Sequence, residues 1–164
     1  MMFSDAITDE ATSSPPSAHG GRTDADAFHD TAQTDAPPLR DHRRSLLIAD
    51  DDEVVRYRLS AELGQSFRIV GLAANATDAI ALAATHKPDA ALIDVEMPGG
   101  GARTAVPEIV ACSPRTRIVI LSADELRHVV NELLSAGAIA YVRKGISGER
   151  IAQTLAQALL YLEA

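Results

Sequence analysis

The chain has 164 residues, with 15 Lys+Arg against 23 Asp+Glu, a formal charge of −8, 46% apolar and only 4% aromatic residues. The apolar fraction excludes a wholly disordered chain, the length fits one domain plus an extension, and the acidic balance argues against direct nucleic-acid binding. Cys112 stands alone, so neither an intramolecular disulfide nor a Cys-rich zinc site is available, as suits a reducing cytoplasm.

No segment reads as a membrane span. The longest stretch without Asp, Glu, Lys or Arg is the twelve residues 151–162, short of the roughly 20 a bilayer requires. The N-terminus has no apolar run, and Asp5, Asp9 and Glu10 precede the first Arg22, so neither a secretory signal nor a transit peptide is expected. The expectation is a soluble, cytoplasmic protein without a membrane partner.

Residues 1–45 hold four of the eight prolines and eight acids against four arginines, with no recurring apolar spacing. With so little to bury they are expected to form a disordered acidic, Pro/Ser-rich tail. Its closing cluster, Arg40-Asp41-His42-Arg43-Arg44, reads as a solvated junction.

From residue 46 to 164 the pattern changes. Apolar runs at 46–49, 69–73, 90–93, 118–121 and 139–142 start 23, 21, 28 and 21 residues apart, room each time for a helix and two loops. Runs apolar at every position suit parallel strands covered on both faces. Between them, Val55, Leu59 and Leu63 repeat at four, 75–86 is an alanine-rich helix, and Leu126, Val129, Val130, Leu133 and Leu134 form a stripe ending at Gly137, a C-cap position. Ile151, Leu155, Ala158, Leu159 and Leu162 mark a closing helix. In 101–113, Pro107 is expected to delay or kink the third helix. The fold class is α/β: a flavodoxin-like (βα)5 doubly wound parallel sheet, in which the strand order 2-1-3-4-5 reverses between strands 1 and 3.

Ligands of such sheets bind beyond the carboxyl ends of the strands at that reversal. Strand 1 exits into Asp50-Asp51-Asp52-Glu53 and strand 3 into Asp94-Val95-Glu96-Met97-Pro98. Converging carboxylates repel, and a hard divalent cation such as Mg²⁺ relieves them. Individually, Asp51 or Asp52 also suits an N-cap, and Asp94 a turn. Strand 4 ends at Ser122-Ala123, where Ser122-x-x-Glu125 also reads as a capping box. Strand 5 is followed by Arg143-Lys144, one of only two lysines, a point charge suited to a carboxylate or phosphoryl oxygen.

Together, Asp50-Asp51, Leu-Ile-Asp94-Val-Glu-Met-Pro, Ser122-Ala123 and Ala-Tyr141-Val-Arg-Lys144, each at its strand end, resemble the receiver domain of bacterial two-component response regulators over residues 45–162. The resemblance implies that Asp94 takes a phosphoryl group from a sensor histidine kinase or phosphotransfer protein. Asp50, Asp51, Asp94 and the backbone carbonyl of Glu96 would hold Mg²⁺. Lys144, Ser122 and Ala123 would bind the phosphoryl group, and Tyr141 would change rotamer with Ser122. A downstream protein would read the face of the fourth helix, fifth strand and fifth helix, which in this family also supports homodimers. Glu96 and Asp124 occupy positions that tune dephosphorylation. The sequence departs from the family at Gly145, where many receivers have proline, and at the Gly99-Gly100-Gly101 loop, which lacks GxGxxG spacing.

Two other functions fit parts of the sequence. Asp50-Asp51-Asp52-Glu53-Val54 matches the nucleophile motif of haloacid-dehalogenase-type phosphatases, with Asp50 as nucleophile and Asp52 as acid/base, although no later GDxxxD pair follows. A phosphorylation-independent receiver-like interaction module would keep the fold and drop the chemistry. Met1 and the acidic charge favour a stand-alone receiver over a piece of a longer protein.

Overall fold

The computed structural model describes residues 40–123 and 127–161. Ten elements alternate: β1 (Ser45–Ala49), α1 (Glu53–Leu63), β2 (Arg68–Ala73), α2 (Ala76–His86), β3 (Ala90–Asp94), α3 (Gly101–Cys112), β4 (Arg117–Ser122), α4 (Arg127–Ala136), β5 (Ala140–Arg143) and α5 (Gly148–Leu160). The strands are all parallel, in the order β2-β1-β3-β4-β5, the order of the flavodoxin-like class expected from the sequence.

The two-residue period of the strands divides the core into two layers. Leu47, Ala49, Ala91, Ile93, Ile118 and Ile120 face α2, α3 and α4, where Ala79, Ala105, Ile109 and Leu133 are fully buried. Leu46, Ile48, Leu92, Val119 and Leu121 face α1 and α5. There Leu59, Leu63, Ile151 and Leu155 reach 0% exposure, each worth roughly 1.5–3 kcal/mol of burial. Val55 and Leu159 are half-buried, and Leu162 lies outside the described residues.

Identical-looking apolar runs have different fates. Every residue of β1 and β3 is buried, whereas β2 and β5 form the sheet edges and leave Leu72 41% and Tyr141 45% exposed. The run 139–142 also overshoots, because Ile139 lies before β5 and is 41% exposed. Conversely, the strands extend beyond the runs, and β1 opens at Ser45, one residue inside the expected tail.

The junction is held, not merely solvated. Arg43 Nε and Nη2 donate to the Asp41 carboxylate at 2.9 and 2.6 Å, and Arg43 Nη1 donates to the Gly64 carbonyl. The amide of Arg68 donates to the Arg44 carbonyl at 2.9 Å, carrying the β1–β2 pairing one residue upstream.

Pro107 does not delay α3, which runs unbroken from Gly101. The ring and the Arg103 carbonyl that loses its i−4 donor both belong to residues on the helix's exposed side, so the missing bond is not buried. The glycine loop before it is structural: Gly99, Gly100 and Gly101 all have positive φ, and a Cβ on Gly101 would lie 2.3 Å from the Val95 carbonyl oxygen. At the end of α4, Ala138 N donates to Leu133 O (3.0 Å) and Gly137 N to Leu134 O (3.2 Å), the Schellman pattern expected of Gly137.

Candidate functional site

The carboxyl ends of β1, β3, β4 and β5 deliver side chains to one cavity of about 200 Å³. It is lined by Asp51, Asp94, Val95, Glu96, Ser122, Ala123, Val129 and Lys144. Asp50 adjoins it, its Oδ2 2.8 Å from Lys144 Nζ.

Local structure fixes each group. Asp50 continues β1, its amide donating to the Ala73 carbonyl at 3.0 Å. Asp50 Oδ1 accepts from the Asp52 amide at 2.9 Å, and Arg56 Nη1 donates to the Asp50 carbonyl at 2.6 Å. Of the two candidate caps, Asp52 takes the role, its Oδ1 accepting from the amides of Val54 (2.8 Å) and Val55 (3.2 Å). That leaves Asp51 exposed at the cavity. The phosphatase alternative, which needs Asp52 as acid/base, meets an Asp52 engaged in holding the start of α1.

Asp94 ends β3 and Lys144 follows β5, anchored by its amide to the Ser122 carbonyl at 2.8 Å. Its Nζ lies 2.8 Å from Asp50 Oδ2 and 2.9 Å from Asp94 Oδ2. The two carboxylates are 0% and 2% exposed, so one ammonium faces two buried negative charges. Apart from Lys144 Nζ, neither Oδ2 has a donor among the described residues. Burial, then the charge of Asp50, pushes the Asp94 carboxyl up to about 6, against the opposing pull of Lys144. Burial depresses the Lys144 ammonium, but its bonds to Asp50 and Asp94 outweigh this and raise it above the ordinary lysine range.

The donor set fits Mg²⁺. Asp50, Asp51 and Asp94 each offer an oxygen, all within 4.8 Å of one another. A hard cation prefers oxygen ligands, and here it would meet under-bonded buried carboxylate oxygens with a net negative balance.

Of the residues singled out in the sequence, Asp51, Asp94, Glu96, Ser122, Ala123 and Lys144 line one cavity and Asp50 joins them through Lys144. Tyr141 does not; it lies along β5 in a groove with Arg127, Val130, Asn131 and Leu134. Asp124 and Glu125, and with Glu125 the capping box, lie outside the described residues. Gly145 has φ +89, a conformation closed to proline. Two contributors have no local sequence signal: Arg56, six residues from the carbonyl it holds, and Val129, which reads simply as part of a core stripe.

The family model of the response regulator receiver domain matches residues 46–156. The transcriptional regulatory protein PdtaR of Mycobacterium tuberculosis is 37% identical over 129 residues, covering 78% of this chain and 56% of that protein. The response regulator GacA of Pseudomonas aeruginosa is 32% identical over 114 residues, 68% of this chain and 53% of that protein. The chain thus spans about half the length of these relatives. Among solved structures, the receiver domain of a sensor histidine kinase from Pseudomonas aeruginosa, with a magnesium ion coordinated in its active-site cleft, aligns with a TM-score of 0.65. Its identity is 25%, over 71% of this chain and 98% of that one.

Proposed function

This chain belongs to the response regulator receiver family, and on that premise we propose that Asp94 is the phosphoacceptor of a two-component phosphorelay. A carboxylate oxygen of Asp94 attacks the phosphorus of a phosphohistidine on a sensor histidine kinase or phosphotransfer protein. The O–P bond forms as the P–N bond breaks, and the departing imidazole nitrogen takes up a proton. Catalysis of this kind consists of positioning and charge neutralisation, which a rigid sheet edge supplies.

Asp50, Asp51, Asp94 and the Glu96 carbonyl would hold Mg²⁺, which when bound neutralises charge on the transferring phosphoryl oxygens. Lys144 exchanges its contact with Asp94 for one with a phosphoryl oxygen while keeping Asp50. Ser122 and Ala123, at the exit of β4, bind the phosphoryl group, and Tyr141 turns in step, altering the face of α4, β5 and α5 that a downstream protein or a second copy reads. The observation that carries this reading is the single ammonium of Lys144 shared by two buried carboxylates. No helix among the described residues is long and apolar enough to cross a membrane.

Intact-mass analysis after incubation with acetyl phosphate tests the assignment. The expected result is one Mg²⁺-dependent phosphoryl adduct, absent from Asp94→Asn. A folded wild type without adduct favours the phosphorylation-independent module, and an adduct surviving in Asp94→Asn moves the nucleophile to Asp50.

A further inference from the structure

Most of the acceptor cavity is polar or belongs to the loop that carries Asp94. The exceptions are Ala123, at the exit of β4, and Val129, an apolar side chain that reaches the cavity from α4. It is only 4% exposed and belongs to the core layer that contains Ala102, Ala105, Ile120 and Leu133. One side chain therefore joins the cavity to the packing that holds α4. A β-branched residue in a helix is confined to essentially one χ1 rotamer, so this wall is stiff. It also offers water no hydrogen bond.

An aspartyl phosphate decays when a water oxygen attacks the phosphorus and the Asp94 Oδ–P bond breaks, releasing inorganic phosphate and restoring the carboxylate. The rate depends on whether a water can be held beside the phosphoryl group. Resting on the acceptor role of Asp94, we propose that Val129 sets the lifetime of the aspartyl phosphate by closing the α4 side of the cavity to water. The residue acts on solvent access and does not touch the bond being made.

The test loads the full chain with acetyl phosphate and Mg²⁺, removes the donor, and follows loss of the adduct by intact mass. Val129→Ala opens space, and Val129→Thr keeps the shape while adding a hydroxyl that can hold a water. Both are expected to speed decay about fivefold, and Val129→Ile to slow it. Val130 supplies the comparison: it is adjacent on α4, 7% exposed, and lines a different groove. Val130→Ala is expected to leave decay within about twofold of wild type. Equal acceleration by Val130→Ala, or unchanged decay in both Val129→Ala and Val129→Thr, overturns the proposal. A wild type that takes no adduct removes the acceptor reading and this inference with it, whereas a normal adduct with unaltered variants removes this inference alone.

Discussion

Two aspartates bracket β3, and their surroundings are opposites. Asp89, just before the strand, is fully answered: its Oδ2 accepts from the Ser45 amide and hydroxyl, both at 2.7 Å, and Arg44 Nη1 lies 3.4 Å from Oδ1. Its own amide donates to Ser45 Oγ at 2.9 Å, and its carbonyl accepts from the Arg117 amide at 2.9 Å. Desolvation works to raise its carboxyl, yet the Ser45 bonds and Arg44 prevail and hold it below the usual range. Asp94, five residues on, has the weak amide of Glu96 at 3.4 Å, half of one ammonium, and a carboxyl pushed upward by burial. One end of the sheet uses its aspartate to pin strands together. The other keeps a buried carboxylate under-bonded, a cost to stability that the proposed binding of a cation and a phosphoryl group would explain.

The sharpest way to break this contrast is at the Asp94 end. Asp50→Ala combined with Asp51→Ala should lower Mg²⁺ affinity about a hundredfold or more, read by calorimetric titration; unchanged affinity would place the ion elsewhere. At the pinning end, Asp89→Ala should cost about 2 kcal/mol in denaturant unfolding, because it strips the Ser45 amide and hydroxyl of their acceptor. The Asp89 carboxyl is depressed, so its stabilisation is present above pH ~4 and disappears as pH falls through the folded value. The wild-type advantage over Asp89→Ala should therefore shrink in acid, and a gap independent of pH down to about 3 would show that charge plays no part. Ser45→Ala, which removes one hydroxyl and spares the amide bond, should cost about 1 kcal/mol. Removing residues 1–39 should move the unfolding midpoint by less than about 2 °C, and a large drop would show that this segment stabilises the domain.

The Asp94 end was far more legible in the sequence than the pinning end. Acids stacked directly after two apolar runs, with a rare lysine after a fifth, stand out because function places titratable groups where the strands stop. Asp89 gave no such signal, since its partner Ser45 is 44 residues away and nothing in a Pro-Asp dipeptide announces it. Neither did Arg56, whose contact depends on the path between β1 and α1. The choice between Asp51 and Asp52 as cap was likewise open, because both residue types suit the position and only backbone geometry selects one. Strand number followed from spacing and the order from the flavodoxin-like pattern, but composition could not separate the buried run of β3 from the half-exposed run of β2, since edge or centre is decided by topology. The delay expected at Pro107 did not occur for a related reason: a helix tolerates proline where the lost bond is on its solvent side.

The most direct test is a pair of isosteric substitutions at the two ends of β3, measured in metal-free buffer at pH 8. Asp94→Asn removes a buried charge whose folded pKa lies near 6, above its unfolded value, so the ionised form weakens the fold at this pH. The substitution should stabilise the domain by on the order of 1 kcal/mol, with the gain fading as pH falls from about 6 to about 4 and absent below that, where the wild-type carboxyl is protonated in both states. Asp89→Asn should destabilise it under the same conditions. Opposite signs would establish that one strand carries a structural aspartate at its start and a functional one at its end; a loss of stability in both would contradict the account.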